Sequence, residues 1–119
     1  MRSVDRGRTA EELACRYLLQ RGLVLLDRNY HCRRGEIDLI LRDTDTLVFV
    51  EVRYRRQGRF GSAAESVDWH KQKRLTACAR HYLQARLPAA RKDCRFDVVA
   101  IDGPDQTIAW IRNAFAVIE

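Results

Sequence analysis

The segment from Gly35 to Tyr54 constrains this chain more than any other. Gly35-Glu36-Ile37-Asp38-Leu39-Ile40-Leu41-Arg42 and Thr46-Leu47-Val48-Phe49-Val50-Glu51-Val52-Arg53-Tyr54 are two runs rich in aliphatic and β-branched residues, joined through the polar turn Asp43-Thr44-Asp45-Thr46. Such a pair predicts a β-hairpin. With a two-residue loop at Thr44-Asp45, or a four-residue loop in the same register, cross-strand partners keep a constant sum of residue numbers. Asp38 then faces Glu51, Glu36 faces Arg53, and these four share a sheet face with Leu47 and Phe49. Ile37, Leu39, Leu41, Val48, Val50 and Val52 line the other face. Both faces are largely apolar, which predicts central strands covered on both sides. A slip by one residue would break up the acidic cluster.

Around this hairpin the chain reads as a single domain over residues 1–119. Its 119 residues suffice for one core, and 46% hydrophobic with 32% charged residues excludes a disordered chain. No internal repeat, low-complexity tract or Pro/Gly-rich linker divides it. Residues 1–8 read as a flexible basic arm. A helix follows, with Thr9 as N-cap, Glu12 at capping-box spacing, and an apolar stripe of Ala10, Leu13, Ala14, Tyr17 and Leu18 that stops at Gly22. Strands are expected over 23–30, 35–42 and 46–54, and a loop over 55–66. A long helix runs from an N-cap at Asp68 to about Arg86, with Leu75, Cys78, Ala79, Tyr82 and Leu83 inward. Strands over 95–101 and 107–112 complete the order α-β-β-β-α-β-β. That order implies an α/β or α+β fold, a mixed β-sheet flanked by helices.

No apolar run approaches the roughly 20 residues that span a bilayer, and no signal-peptide block follows the N-terminus. Cys15, Cys32, Cys78 and Cys94 are widely spaced without a CxxC pair, so reduced, small buried thiols in a cytoplasmic protein are the expectation. Cys78 with His81 and Cys32 with His31 suggest zinc, but finger or ribbon spacing is missing. No GxxxxGK[ST] loop calls for a nucleotide cofactor, and Ser62 and Ser66 lack a recognisable triad.

Two opposed carboxyls with Cβ atoms about 5 Å apart in an apolar sheet repel each other and are poorly hydrated. A divalent cation compensates such a pair, and hard oxygen ligands suit Mg²⁺ or Mn²⁺. The ion would polarise a phosphodiester and activate water. The same residues also accommodate a buried ion-pair network in which Arg53 neutralises Asp38 and Glu51; the residues alone leave both readings open.

GEIDLI followed by VFVEVR resembles the core of the PD-(D/E)xK nucleases, with Asp38 at the first acidic position and Glu51-x-Arg53 as the second half. More closely, the chain resembles the YraN family of small bacterial proteins through Arg8-Thr9-Ala10-Glu11-Glu12-Leu13-Ala14, RRGEIDLI, LVFVEVRYR, FGSAAESVD with KQKRL, and RFDVVAI, over roughly residues 5–112. That family is similar to archaeal Holliday-junction resolvases. The resemblance implies a restriction-endonuclease-like fold and a metal site of Glu12, Asp38 and Glu51, with the Val52 carbonyl as a further ligand and Glu36 and Gln72 supporting from behind. The capping box gives Glu12 a rival role. Arg53 stands where the superfamily has lysine; it keeps the charge, stabilising a phosphate, but cannot act as a base. Lys71 or Lys73 would supply the missing amine by migration.

The net charge is +6, carried mostly by arginine, whose fork matches phosphate oxygens, though arginine usage of this kind also serves solubility. Arg53, Tyr54, Arg55, Arg56, Arg59 and Phe60 cluster beyond Glu51; Arg33 and Arg34 precede the second strand; Lys71, Lys73 and Arg74 begin the long helix. Their convergence on the acids points to nucleic acid. His70 reads as surface and Trp69 as packing. The expectation is a metal-dependent endonuclease acting on structured or branched DNA, for which a two-fold symmetric substrate would call for a homodimer. The alternative is a non-catalytic nucleic-acid-binding accessory protein that retains the nuclease fold, favoured by arginine at position 53.

Overall fold

The computed structural model describes residues 3–55, 67–86, 93–103 and 105–116, with side chains from Arg8 onward. The elements follow the expected order: α1 Ser3–Gln20, β1 Val24–Cys32, β2 Gly35–Asp43, β3 Thr46–Arg55, α2 Trp69–Arg86, β4 Asp93–Asp102 and β5 Thr107–Phe115. The strands form one sheet in sequence order. The β3–β4 pair is parallel and the other three are antiparallel. A parallel neighbour cannot be reached by a tight turn, so α2 is inserted at that step as the crossover. No described helix is long and apolar enough to cross a membrane.

Each helix covers one face of the sheet. Ala10, Ala14, Cys15 and Leu18 of α1 pack on Leu39, Leu41, Val48, Val50, Val99 and Ile101. On the other face Leu75, Cys78, Ala79 and Tyr82 of α2 pack on Ile40, Leu47, Phe49, Phe96, Val98 and Ala100. The central strand β3 is therefore buried on both sides, as its near-continuous apolar run requires. Burying a side chain such as Phe49 is worth about 2–3 kcal/mol.

Three details differ from the sequence expectation. Residues 3–8 continue α1, so Thr9 lies inside the helix and is not its N-cap. No proline interrupts this segment, and the one glycine, Gly7, costs only about 1 kcal/mol in a helix. The helix ends as expected at Gly22, whose φ of 93° allows Gly22 N–H to donate to Leu19 O and Leu23 N–H to donate to Leu18 O. Cys32 and Cys78 form a disulfide where reduced thiols were expected. Their sequence separation of 46 hid a Cα–Cα distance of 5.5 Å, created when α2 lies across the end of β1. Zinc at these cysteines is excluded by the bond, and His81 instead meets the Tyr30 hydroxyl.

The hairpin loop is the two-residue Thr44-Asp45, closed by the Asp43–Thr46 pair. Thr44 takes a φ of 57°, a region that disfavours β-branched residues. Thr44→Asn should therefore raise stability by about 0.5–1 kcal/mol, measured by urea unfolding followed by circular dichroism. A loss of stability would show that the threonine side chain contributes more than its backbone strain costs.

Candidate metal centre

The β2–β3 ladder keeps the constant-sum register from Asp43–Thr46 to Leu39–Val50. At the next step, where Asp38 would pair with Glu51, Val52 N–H donates to Asp38 Oδ2 at 2.8 Å. A strand amide points within the sheet plane, so the Asp38 carboxyl stands between the two strands. The cause is a change of phase in β2. Ile37 joins the α2-facing core beside Tyr30, Leu39 joins the α1-facing core, and Ile40 returns to the α2 side. Ile37 was expected to share a face with Leu39, but alternation breaks across Asp38. Beyond this break the Asp38 carboxyl takes the Val52 amide in place of a ladder bond.

Glu51 is 6% exposed and lies on the α2 side of β3. Its Oε1 is 3.5 Å from Lys71 Nζ and 3.8 Å from Arg53 Nη1. Its Oε2 is buried with no hydrogen-bond partner, the one such side-chain atom among the described residues. Burial raises Asp38 to about 8, and the charges of Glu51, Glu11 and Glu36 add to the rise against the Val52 amide. Burial also raises Glu51, against the pull of Lys71 and Arg53. Two carboxyls that resist ionisation and an oxygen without a donor describe a site short of positive charge.

No three His, Cys, Asp or Glu side chains among the described residues converge tightly enough to enclose an ion. A closed zinc site is thus not what these residues form. Asp38 and Glu51 do fit Mg²⁺ or Mn²⁺, since such an ion retains several waters and takes one or two carboxylates. The Val52 amide is engaged by Asp38, and in an extended strand the carbonyl of the same residue points to the same edge.

The other predicted residues divide. Glu12 is turned away, its Oε2 accepting from Arg28 Nη1 at 3.1 Å in an exposed pair. Glu11, passed over in the sequence, is the α1 acid whose charge reaches Asp38, and it also accepts from Asn29 Nδ2 at 2.9 Å. Helical phase could have found it, because Glu11 lies two turns before the buried Leu18 and one before Ala14. Glu36 lies 3.7 Å from His31 on β1, and its charge reaches both Asp38 and Glu51, so it stands beside the acids as expected. Gln72 donates its side-chain amide to Val67 O, which ties down the start of α2.

The basic residues divide similarly. Arg55 is held by Asp102 at 2.8 and 3.1 Å, an ion pair joining β3 to β4. Arg56 and Arg59 lie outside the described residues. Arg33, Arg34 and Arg74 are exposed. Arg74 is beside the β1–β2 turn, where a Cβ on Gly35 would lie 3.6 Å from its own Cβ. Asp68 caps α2 by accepting from Lys71 N–H, as expected. Trp69, expected as packing, is 56% exposed with Lys73 Nζ 4.5 Å from its ring centre; His70 is exposed beside it.

Residues 10–101 match the model of a family described as "Uncharacterised protein family UPF0102". A UPF0102 protein of Nitrosococcus oceani is 59% identical over 116 residues, covering 95% of this chain and 93% of its relative. One from Stutzerimonas stutzeri is 54% identical over 95% and 96% of the two chains. One from Pseudomonas aeruginosa is 50% identical over 95% and 94%.

The raised Asp38 fixes the sign of a pH effect. Folded Asp38 keeps its proton to about pH 8, whereas the unfolded chain releases it near 3.8. Its contribution to stability is therefore full below pH 4 and lost as pH rises toward 8. In metal-free protein, Asp38→Asn should gain on wild type by about 3 kcal/mol between pH 5 and pH 8, read from urea unfolding. Mn²⁺ should restore the wild type at pH 8 and leave the variant unchanged; parallel pH curves for both would remove the premise.

Proposed function

We propose that this chain, which belongs to the uncharacterised protein family UPF0102, is a metal-dependent endonuclease acting on structured or branched DNA. The observation that carries this reading is the buried Oε2 of Glu51, without a hydrogen-bond partner, near the half-buried carboxyl of Asp38. A purely structural ion pair would leave no such oxygen, because its desolvation costs about 1–3 kcal/mol with no return.

Asp38 and Glu51 hold the Mg²⁺ or Mn²⁺, with the Val52 carbonyl as a further ligand. When bound, the ion supplies positive charge to the scissile phosphate and makes water more acidic. Glu51 also positions two cations through its other oxygen. Arg53 stabilises charge on the phosphate and cannot give up a proton. The Lys71 ammonium, 3.5 Å from Glu51 Oε1, offers a proton that can be transferred and compensates for the missing lysine of β3. Glu11 adds its negative field from the α1 side. Arg33, Arg34, Lys73 and Arg74 contact backbone phosphates around the acids, which positions the strand without reading its sequence. A four-way junction, being two-fold symmetric, would engage a homodimer. The same protein is expected to act in the cytoplasm.

The competing reading, an accessory protein that binds nucleic acid without cutting, rests on arginine at position 53. Lys71 beside the same carboxylate speaks against it, since the chemistry of a lysine is present on another element.

Calorimetric titration of Mn²⁺ and cleavage of a labelled four-way junction, a duplex and a single strand test the proposal together. Asp38→Asn and Glu51→Gln should lose both metal binding and cutting. Lys71→Ala should keep Mn²⁺ affinity within a few-fold while cleavage falls about 10²–10³-fold. Absence of Mn²⁺ binding in the wild type would overturn the nuclease reading. Metal binding without cutting of any of the three substrates would favour the accessory protein.

A further inference from the structure

The disulfide joins the two elements that carry the basic rim. Cys32 ends β1 and is half-buried, while Cys78 is fully buried on α2. Immediately after Cys32 come Arg33 and Arg34 in the β1–β2 turn, where Arg34 N–H donates to Cys32 Sγ at 3.3 Å. A Cβ on Gly35 would lie 4.0 Å from Cys78 Sγ, so the turn rests directly on the helix. Cys78 is two helical turns from Lys71, on the same stripe as Leu75. The bond therefore sets the height and rotation of the stripe that presents Lys71 to Glu51.

We propose that Cys32 and Cys78 are a reversible dithiol–disulfide couple, and that its oxidised form pre-organises the β1–β2 turn and the start of α2 for nucleic acid. The part concerning nucleic acid rests on the proposed function above; the couple itself does not. The reactant is a low-molecular-weight thiol. Its thiolate attacks the accessible sulfur of Cys32, a mixed disulfide forms there, and the sulfur–sulfur bond breaks with its electron pair leaving on Cys78, which then takes a proton. A second thiolate displaces Cys32 from the mixed disulfide, and Cys32 is protonated in turn. Two thiols are oxidised to one small disulfide, and two cysteines are reduced; the reverse sequence, starting from the small disulfide, closes the bond. Reduction leaves the apolar contacts of Leu75, Ala79 and Tyr82 in place, so the fold persists while the turn and the first two turns of α2 gain freedom. Ordering those side chains then falls on the binding step, which weakens binding by about three- to tenfold.

The test uses full-length protein equilibrated in glutathione buffers of graded oxidised-to-reduced ratio. Alkylation with mass spectrometry reads the state of each cysteine, with Cys15 and Cys94, which remain thiols, as internal references. Hydrogen exchange is followed in residues 31–36 and 69–78, and anisotropy of a labelled four-way junction is measured without metal. The pair should titrate reversibly, exchange in both segments should rise on reduction, and junction affinity should fall about three- to tenfold. Cys32→Ser in the most oxidising buffer should match the reduced wild type. A pair that stays oxidised at every ratio, one that never closes, or one that titrates with unchanged exchange would each overturn the proposal. Exchange that shifts with no junction binding in either state would leave the couple standing and overturn the nucleic-acid reading instead.

Discussion

Burial of β3 on both faces is the constraint from which the rest of the architecture follows. A strand without a wet face needs a helix on each side and a neighbour at each edge. The antiparallel edge is supplied by β2 through a two-residue loop. The parallel edge, β4, requires a crossover, and that crossover is α2. The helix that satisfies the topology thus also brings Lys71 to the one acidic side chain embedded in the strand. Packing and chemistry are delivered by the same element.

Two buried carboxyl groups in this sheet show how structural and reactive burial differ. Asp97 is fully buried in β4, yet its oxygens accept from Arg95 at 3.0 Å, from Trp110 Nε1 at 2.9 Å and from Asn113 N–H at 2.9 Å. Arg95 reaches on to Asp43, so the network stitches β4 to β5 and to the hairpin end. Its acceptors are satisfied, and nothing further is needed. Glu51 has two cations beside Oε1 and a buried Oε2 without a hydrogen-bond partner. The contrast within one fold is the physical reason to look for a ligand at Glu51 and not at Asp97.

The hairpin register could be read from the sequence because side-chain alternation has a period of two and leaves a single pairing that clusters the acids. What escaped was set by neighbours distant in the chain. The phase break at Asp38 depends on Ile37 finding Tyr30 and the α2 core, which no local pattern announces. The Cys32–Cys78 contact exists only once α2 has docked. Arg55 looked like part of a basic run because its partner, Asp102, lies across the parallel pair. Glu12 came from the family resemblance, against a rival capping role that vanishes because the helix starts at Ser3; the apolar phase of α1 points to Glu11 instead.

The parallel pairing also orders the assembly of the molecule in time. Hairpin β2–β3 closes over two residues, whereas Thr46 must wait for Asp93 to be brought back past α2. Local contacts form before distant ones, because the closing of a long loop costs more entropy. Asp38 and Glu51 are therefore brought side by side while still bathed in water, and lose that water only when the helix and β4 arrive. The desolvation cost falls on the final ascent to the native state. A cation bound by these acids in the native state would accordingly act mainly on the rate at which the finished fold comes apart, and little on the rate at which the hairpin is made.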